Sequence, residues 1–169
     1  MISREVFATY ARNFIFGVED SLVSTVGLLS GIAVGGIGRE EVVLAGIVLI
    51  FVEAFSMGAG SFLAERSVEE YMEEDGSKIP QQSVGVSFTM FGSYFLSGFI
   101  PLSPYIFLEK TMALPVSIIF SLVALLVLGI VSARVLRTSV WRTARRVLII
   151  GGLAIGVGLA LGNLFSIGA

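Results

Sequence analysis

The sequence contains neither cysteine nor histidine. Disulfides, thiolate zinc sites, covalent haem attachment and imidazole proton relays are therefore excluded, as is a nucleophile–base pair built on either residue. Charged residues are also scarce, at 14% of the chain, and the net charge is −2. These absences argue against an enzyme, against a nucleic-acid partner and against a resident cofactor.

Apolar residues make up 55% of the chain, and the mean hydropathy is +0.92. These values lie outside the range of soluble domains. Because a helix needs about 20 apolar residues to cross the hydrocarbon core, the 169 residues accommodate five spans with short connections. We predict an all-α, multi-pass integral membrane protein with a single transmembrane domain, in the cell membrane if the chain is prokaryotic. The predicted spans are about 13–35, 42–63, 83–100, 114–135 and 147–165.

Polar segments separate the predicted spans. The longest, 64–82, carries acids at four-residue spacing, which predicts a helical extension of the second span. These acids either collect metal or form a solvated helix face, and they are Glu65, Glu69, Glu70, Glu73 and Glu74. Further along the chain, Pro101, Pro104 and Pro115 predict an aromatic connection between the third and fourth spans.

Basic residues predict the orientation. With a cytosolic N-terminus, nine of the 11 lysines and arginines, including Lys78, lie in segments on the cytosolic side, and only Arg39 and Lys110 lie on the other side. This asymmetry follows the positive-inside rule. We therefore predict a cytosolic N-terminus and a C-terminus on the opposite side. Below, "inner end" means the end of the bundle predicted to face the cytosol.

Three acids interrupt the first two spans. Glu19 and Asp20 lie about two turns inside the first span, and Glu53 lies inside the second. A carboxylate at bilayer depth costs roughly 2.5 kcal/mol or more on insertion scales, so intramembrane acids indicate function. Depth and helical spacing place Asp20, with Ser24 one turn deeper, opposite Glu53 and Met57 across the hairpin. Glu19 projects about 100° away around its helix and is the less certain member.

This cluster has the chemistry of a metal and proton path. Carboxylates bind divalent Fe or Mn, and a thioether favours Fe(II) over Mg or Ca. A buried carboxyl group can also exchange its proton for a metal ion, as an antiporter requires. A polar stripe in the third span, which includes Met90 and Tyr94, lines either a helix interface or the border of the path. The alternative is structural: Met57 packs, and the acids stay protonated and hydrogen-bonded to neighbouring helices.

Glycines at four-residue spacing predict close helix packing. The first span contributes Gly27, Gly31 and Gly35, and the fifth contributes two pairs, Gly152 with Gly156 and Gly158 with Gly162. The first set also suggests that this span lies at a seam between two copies of the chain.

Two stretches resemble the vacuolar iron transporter family. GVEDSLVSTVGLLSGIA in the first span is similar to the family's Gly-x-x-Asp-Gly-Leu-Val-x-x-x-Gly pattern, and AFSMGAGSFLAERS in the second resembles its Ala-Leu-Ser-Met-x-x-Gly-Glu/Gly-Tyr motif. The ending GGLAIGVGLALGNLF resembles the family's last helix. The chain is thus identified as a short, prokaryotic-type member with a reduced acidic segment.

The resemblance implies a homodimer that exports Fe(II) or Mn(II) from the cytosol in exchange for protons, with the path between protomers. It also implies that Asp20 is the metal and proton carboxylate and that Met57 faces the metal. Two residues depart from the family pattern: Ser21 replaces a glycine, and Glu53 stands where a small residue is common. Two other functions stay open, namely a metal-permeable channel without proton coupling and a non-transporting membrane scaffold.

Overall fold

The computed structural model describes residues 4–76 and 81–166. Residues 77–80, which include Lys78 of the predicted inner segment, lie outside the described residues. Within the described ranges the chain forms five α-helices, each containing a stretch long and apolar enough to cross a membrane, which confirms the predicted all-α, multi-pass fold. The helices are α1 (Arg4–Val34), α2 (Arg39–Glu74), α3 (Ser83–Phe107), α4 (Lys110–Val135) and α5 (Val140–Leu164).

Helix α1 is the centre of the bundle and packs against each of the other four helices. Along α1, Gly17 lies against Ser93 of α3, and Ser21 lies further along against Gly98. Because successive residues of α1 meet successive residues of α3, these two helices run in the same direction. The predicted site residues on α1 are therefore held against both α2 and α3.

Small residues let α1 and α5 approach closely. A Cβ atom added at Gly31 would lie 2.8 Å from the carbonyl oxygen of Gly158, and one added at Gly27 would lie 3.2 Å from that of Ala154. Gly35 continues the seam toward Gly162. The three predicted glycines of α1 thus contact α5 of the same protomer, on the face that was predicted to meet a second copy.

The α5 side of this seam matches one of the two predicted glycine pairs and not the other. Gly152 and Gly156 have no heavy atom within 4 Å of an added Cβ atom, so they do not pack against the rest of the described bundle. Gly156 and Gly158 are separated by about 200° around the helix, which places them on different faces. Of the two predicted pairs on α5, Gly158 and Gly162 therefore lie on the seam with α1, and Gly152 and Gly156 do not.

Helix α3 continues through Pro101 and Pro104, so the predicted aromatic connection between the third and fourth spans is wrong. The helix ends at Phe107, and only Leu108 and Glu109 separate it from α4. Proline removes a backbone donor, but the Ser103 hydroxyl donates to the Ile100 carbonyl at 2.9 Å, which is the group that Pro104 leaves unpaired.

The acidic segment forms the inner part of α2, which runs without a break to Glu74. At the outer end, the Arg39 guanidinium on α2 donates to the carbonyl oxygen of Tyr105 at 2.7 Å and also to that of Ile106. These bonds satisfy carbonyl groups at the C-terminus of α3. Helix α2 is therefore fastened to α3 at its outer end.

Candidate functional site

Asp20 of α1 and Glu53 of α2 form the centre of the candidate site. Both side chains are partly buried, and their charges are close enough to repel each other. The hydroxyl of Tyr94, on α3, lies within the field of both carboxylates. Three helices thus bring two acids and a phenol together at membrane depth, where an isolated charge is unfavourable.

A hydrogen bond between Ser24 and Tyr94 joins α1 to α3 beside the acids. The two hydroxyl oxygens are 2.8 Å apart, and the Tyr94 side chain is fully buried. The Ser21 hydroxyl donates to the backbone carbonyl of Tyr94 at 2.7 Å, which fixes the same contact one turn away. Helical spacing marked Tyr94 as a border residue of the path, but its bond to Ser24 depends on the register between two helices and was not predicted.

A cavity of about 430 Å³ lies on the inner side of the acids. Met57 and Met90, the two predicted thioethers, both line it, and Met57 lies one helical turn from Glu53. The Ser61 hydroxyl donates to the side-chain oxygen of Asn13 at 3.0 Å in its wall. Next to the acid pair, the cavity therefore offers soft sulfur and neutral oxygen atoms, and the ion pair of Arg12 and Glu65 lies at its rim.

A groove of about 460 Å³ lies on the outer side. Glu53 and Glu41 both line it, about three turns apart along α2. The residues between them are apolar, including Leu44 and Val48, and Leu28 of α1 forms the opposite wall. Glu53 thus borders the outer groove, while its neighbour Met57 borders the inner cavity.

Glu19 lies apart from this arrangement. Its charge is close enough to interact with Asp20, but also with Arg146 on α5. It therefore faces the α5 side of α1, whereas Asp20 faces Glu53, as the helical angle between neighbouring residues requires.

The acids of the inner extension are distributed among separate partners. Glu65 pairs with Arg12 at 2.7 Å, Glu70 with Arg66 at 2.8 Å, and Glu73 accepts a hydrogen bond from Gln81 at 3.0 Å; Glu74 is exposed. Across residues 4–76 and 81–166, no three acidic side chains come together as a metal site. A collecting role for these acids stays a prediction.

Glu69 is the buried member of the acidic segment. One carboxylate oxygen accepts the backbone N–H groups of Gln82 and Ser83 at 2.6 and 2.9 Å, at the start of α3. Burial raises the pKa of the Glu69 carboxyl, but these hydrogen bonds and the charge of Arg66 outweigh it, so the pKa lies below its ordinary value of 4.5. The sequence pattern did not indicate this contact, which anchors α2 to the N-terminus of α3.

The fold and the site together define a class: a multi-pass membrane protein with intramembrane acids between an inner cavity and an outer groove. The sequence pattern of the VIT family matches residues 11–84 and 72–163. These ranges cover most of the chain, which belongs to the VIT family. The resemblance read from the two motifs is thereby confirmed.

Named relatives agree with this assignment. The chain is 28% identical over 172 residues to vacuolar iron transporter homolog 5 of Oryza sativa subsp. japonica, covering 94% of this chain and 81% of the relative. It is 23% identical over 202 residues to vacuolar iron transporter 1 of Arabidopsis thaliana, covering 85% and 81%. It is also 23% identical over 209 residues to vacuolar iron transporter 1 of Tulipa gesneriana, covering 89% and 85%.

Proposed function

We propose that this protein exports a divalent transition metal, Fe(II) or Mn(II), from the cytosol in exchange for protons. The observation that carries the proposal is the position of the Asp20–Glu53 pair between the inner cavity and the outer groove. The iron-transporter names of the relatives support the substrate class. Two carboxylates can hold a divalent cation when ionised and release it when protonated, which couples the two flows.

Each group has a separate role in this proposal. The methionine-lined cavity receives the metal from the inner side, and Met57 and Met90 favour Fe(II) or later metals over Mg and Ca. Asp20 and Glu53 then take the ion in place of their protons. Ser24 and Tyr94, which are hydrogen-bonded to each other, supply hydroxyl oxygen atoms beside the acid pair.

A homodimer forms part of the proposal. A protomer brings two acids, not three, to the candidate site in the part of the chain that the structure describes. Both acids are partly exposed, so a second copy facing α1 and α2 would contribute an equivalent pair. Four carboxylates around the path would give a divalent ion the oxygen ligands that one protomer lacks.

The proposal is tested with purified protein in sealed vesicles. A panel of Fe(II), Mn(II), Co(II), Zn(II) and Ca(II) is supplied with and without a pH gradient, while a metal-sensitive dye and a pH-sensitive dye report the two flows. We expect Fe(II) or Mn(II) to move, with protons moving in the opposite direction and Ca(II) excluded. Metal flux without proton movement would identify a channel. If no metal moves, the transport proposal fails and a non-transporting scaffold is the remaining function.

A further inference from the structure

An ion pair lies at the rim of the inner cavity, apart from the central acids. The Arg12 guanidinium on α1 donates to a Glu65 carboxylate oxygen on α2 at 2.7 Å. Both residues line the cavity that contains Met57 and Met90. Their exposure is unequal: 69% of the Arg12 side chain is accessible, against 14% of Glu65. The arginine is therefore the more exposed partner, and it covers the carboxylate.

The chemistry of the rim singles out Glu65. Among the described residues that line this cavity, Glu65 is the one carboxylate, and Asn13 and Ser61 already bond to each other. A divalent cation arriving from the inner side thus meets one anionic ligand, which a guanidinium already occupies. A metal ion and Arg12 compete for the same oxygen atom.

We propose that Glu65 is the first binding site for a divalent transition metal at the inner mouth, and that Arg12 is the resident counter-ion which the metal displaces. This inference rests on the proposed function and adds a site and a selectivity step to it. A +2 ion gains more from the carboxylate than the +1 guanidinium does, whereas a monovalent ion gains no such advantage. The exchange therefore admits divalent ions, which then reach the thioethers in the same cavity.

The absence of cysteine makes this site accessible to a direct probe. Gly60 lines the cavity, is exposed, and has no heavy atom within 4 Å of an added Cβ atom, so Gly60→Cys introduces a single tolerated thiol. The full-length variant in nanodiscs is treated with a positively charged methanethiosulfonate reagent at increasing Mn(II) concentrations. We expect Mn(II) bound at Glu65 to slow modification, and the Mn(II) concentration for half protection measures its affinity.

Three further substitutions in the Gly60→Cys background test the assignment. Arg12→Gln should lower the half-protecting Mn(II) concentration at least about twofold, because the competing cation is gone. Glu65→Gln should raise it at least about fivefold, because the ligand charge is lost. Arg4→Gln removes the same charge about two turns earlier on α1, from another exposed position, and should leave it unchanged.

Equal half-protection in the Arg12→Gln and Arg4→Gln variants would overturn the role of Arg12. Undiminished protection in the Glu65→Gln variant would overturn the site. If Glu65→Gln does not fold, the comparison of Arg12→Gln with Arg4→Gln still tests the proposal, because Arg12 is exposed. Metal flux in vesicles is measured with the same variants to separate the two hypotheses. A protein that transports no metal would refute the proposed function, whereas the protection assay tests metal binding at Glu65 whether or not transport occurs.

Discussion

At the scale of single residues, the site depends on groups that three helices hold at one depth. Asp20 and Glu53 repel each other when both are ionised, and Tyr94 adds a hydroxyl within their field. A cation, or a proton on one acid, relieves this repulsion. The same pair can therefore hold a metal in one state and protons in another.

Tyr94→Phe tests whether the phenol contributes to this site. The substitution keeps the buried ring and removes the hydroxyl that bonds Ser24 at 2.8 Å, leaving Ser24 only a contact of 3.5 Å to the Ser21 carbonyl. We expect the initial rate of Mn(II) uptake in vesicles to fall about 2- to 10-fold, the range that corresponds to one hydrogen bond. Tyr71→Phe, at an exposed position of α2, is the control, and equal rates in the two variants would exclude Tyr94 from the path.

The arrangement of Asp20 and Glu53 could be predicted from helical spacing alone. Counting residues from the membrane boundary predicted that Asp20 and Glu53 face each other, and the structure places them within electrostatic range. The Ser24–Tyr94 and Arg12–Glu65 contacts join residues 70 and 53 positions apart. Such contacts follow from the register between helices, which buried side chains determine and which one sequence does not reveal.

At the scale of helices, Glu69 links the inner extension of α2 to the start of α3. Folding lowers the pKa of the Glu69 carboxyl from its value in the unfolded chain, which is near 4.5. The charge of Glu69 therefore contributes fully to stability at pH values above 4.5, and this contribution is lost as the pH falls through the pKa of the folded state. We expect wild type to melt at a higher temperature than Glu69→Gln at pH 6 to 7. The difference should shrink steadily below about pH 4.5.

The control for this prediction is Glu74→Gln, at an exposed position of the same helix. Its melting temperature should track that of wild type at every pH. A gap between wild type and Glu69→Gln that persists unchanged at pH 3 would show that the charge of Glu69 does not stabilise the contact.

The seam between α1 and α5 gives a second prediction for the helices. A Cβ atom at Gly158 would lie 2.9 Å from the backbone carbonyl carbon of Gly27, and backbone atoms cannot rotate away. Gly158→Ala should therefore lower the stability by about 1–3 kcal/mol. Gly156→Ala, at an open position on a different face of α5, should be neutral or slightly stabilising, since alanine favours helix over glycine by up to about 1 kcal/mol. Thermal melting in detergent compares the two, and equal melting temperatures would show that the seam tolerates a methyl group.

The prolines of α3 led to the wrong prediction of where this helix ends. Pro101 and Pro104 are strong breakers in water, yet α3 passes through both. At Pro104, the Ser103 hydroxyl donates to the Ile100 carbonyl that the proline leaves unpaired, which reduces the cost of continuing the helix in a membrane. The compensating bond at Pro104 is local, so Ser103, immediately before this proline, is a sequence feature from which it could have been predicted.

At the scale of the whole molecule, hydropathy and length were sufficient to predict the five helices, because a bilayer admits few backbone conformations. The family followed from two motifs, one in α1 and one in α2, and is confirmed by the match to the VIT family. The homodimer and the cytosolic position of the N-terminus stay predictions.

Metal-driven proton movement in vesicles containing wild type, Asp20→Asn or Glu40→Gln tests the central claim most directly. Asp20→Asn keeps the size of the side chain and removes its charge and its exchangeable proton, while Glu40→Gln makes the matching change at an exposed acid in the first turn of α2. The account predicts that Fe(II) or Mn(II) drives proton movement in wild type and in Glu40→Gln, and that Asp20→Asn, folded to the same extent, loses it. Undiminished proton movement in Asp20→Asn would contradict the account.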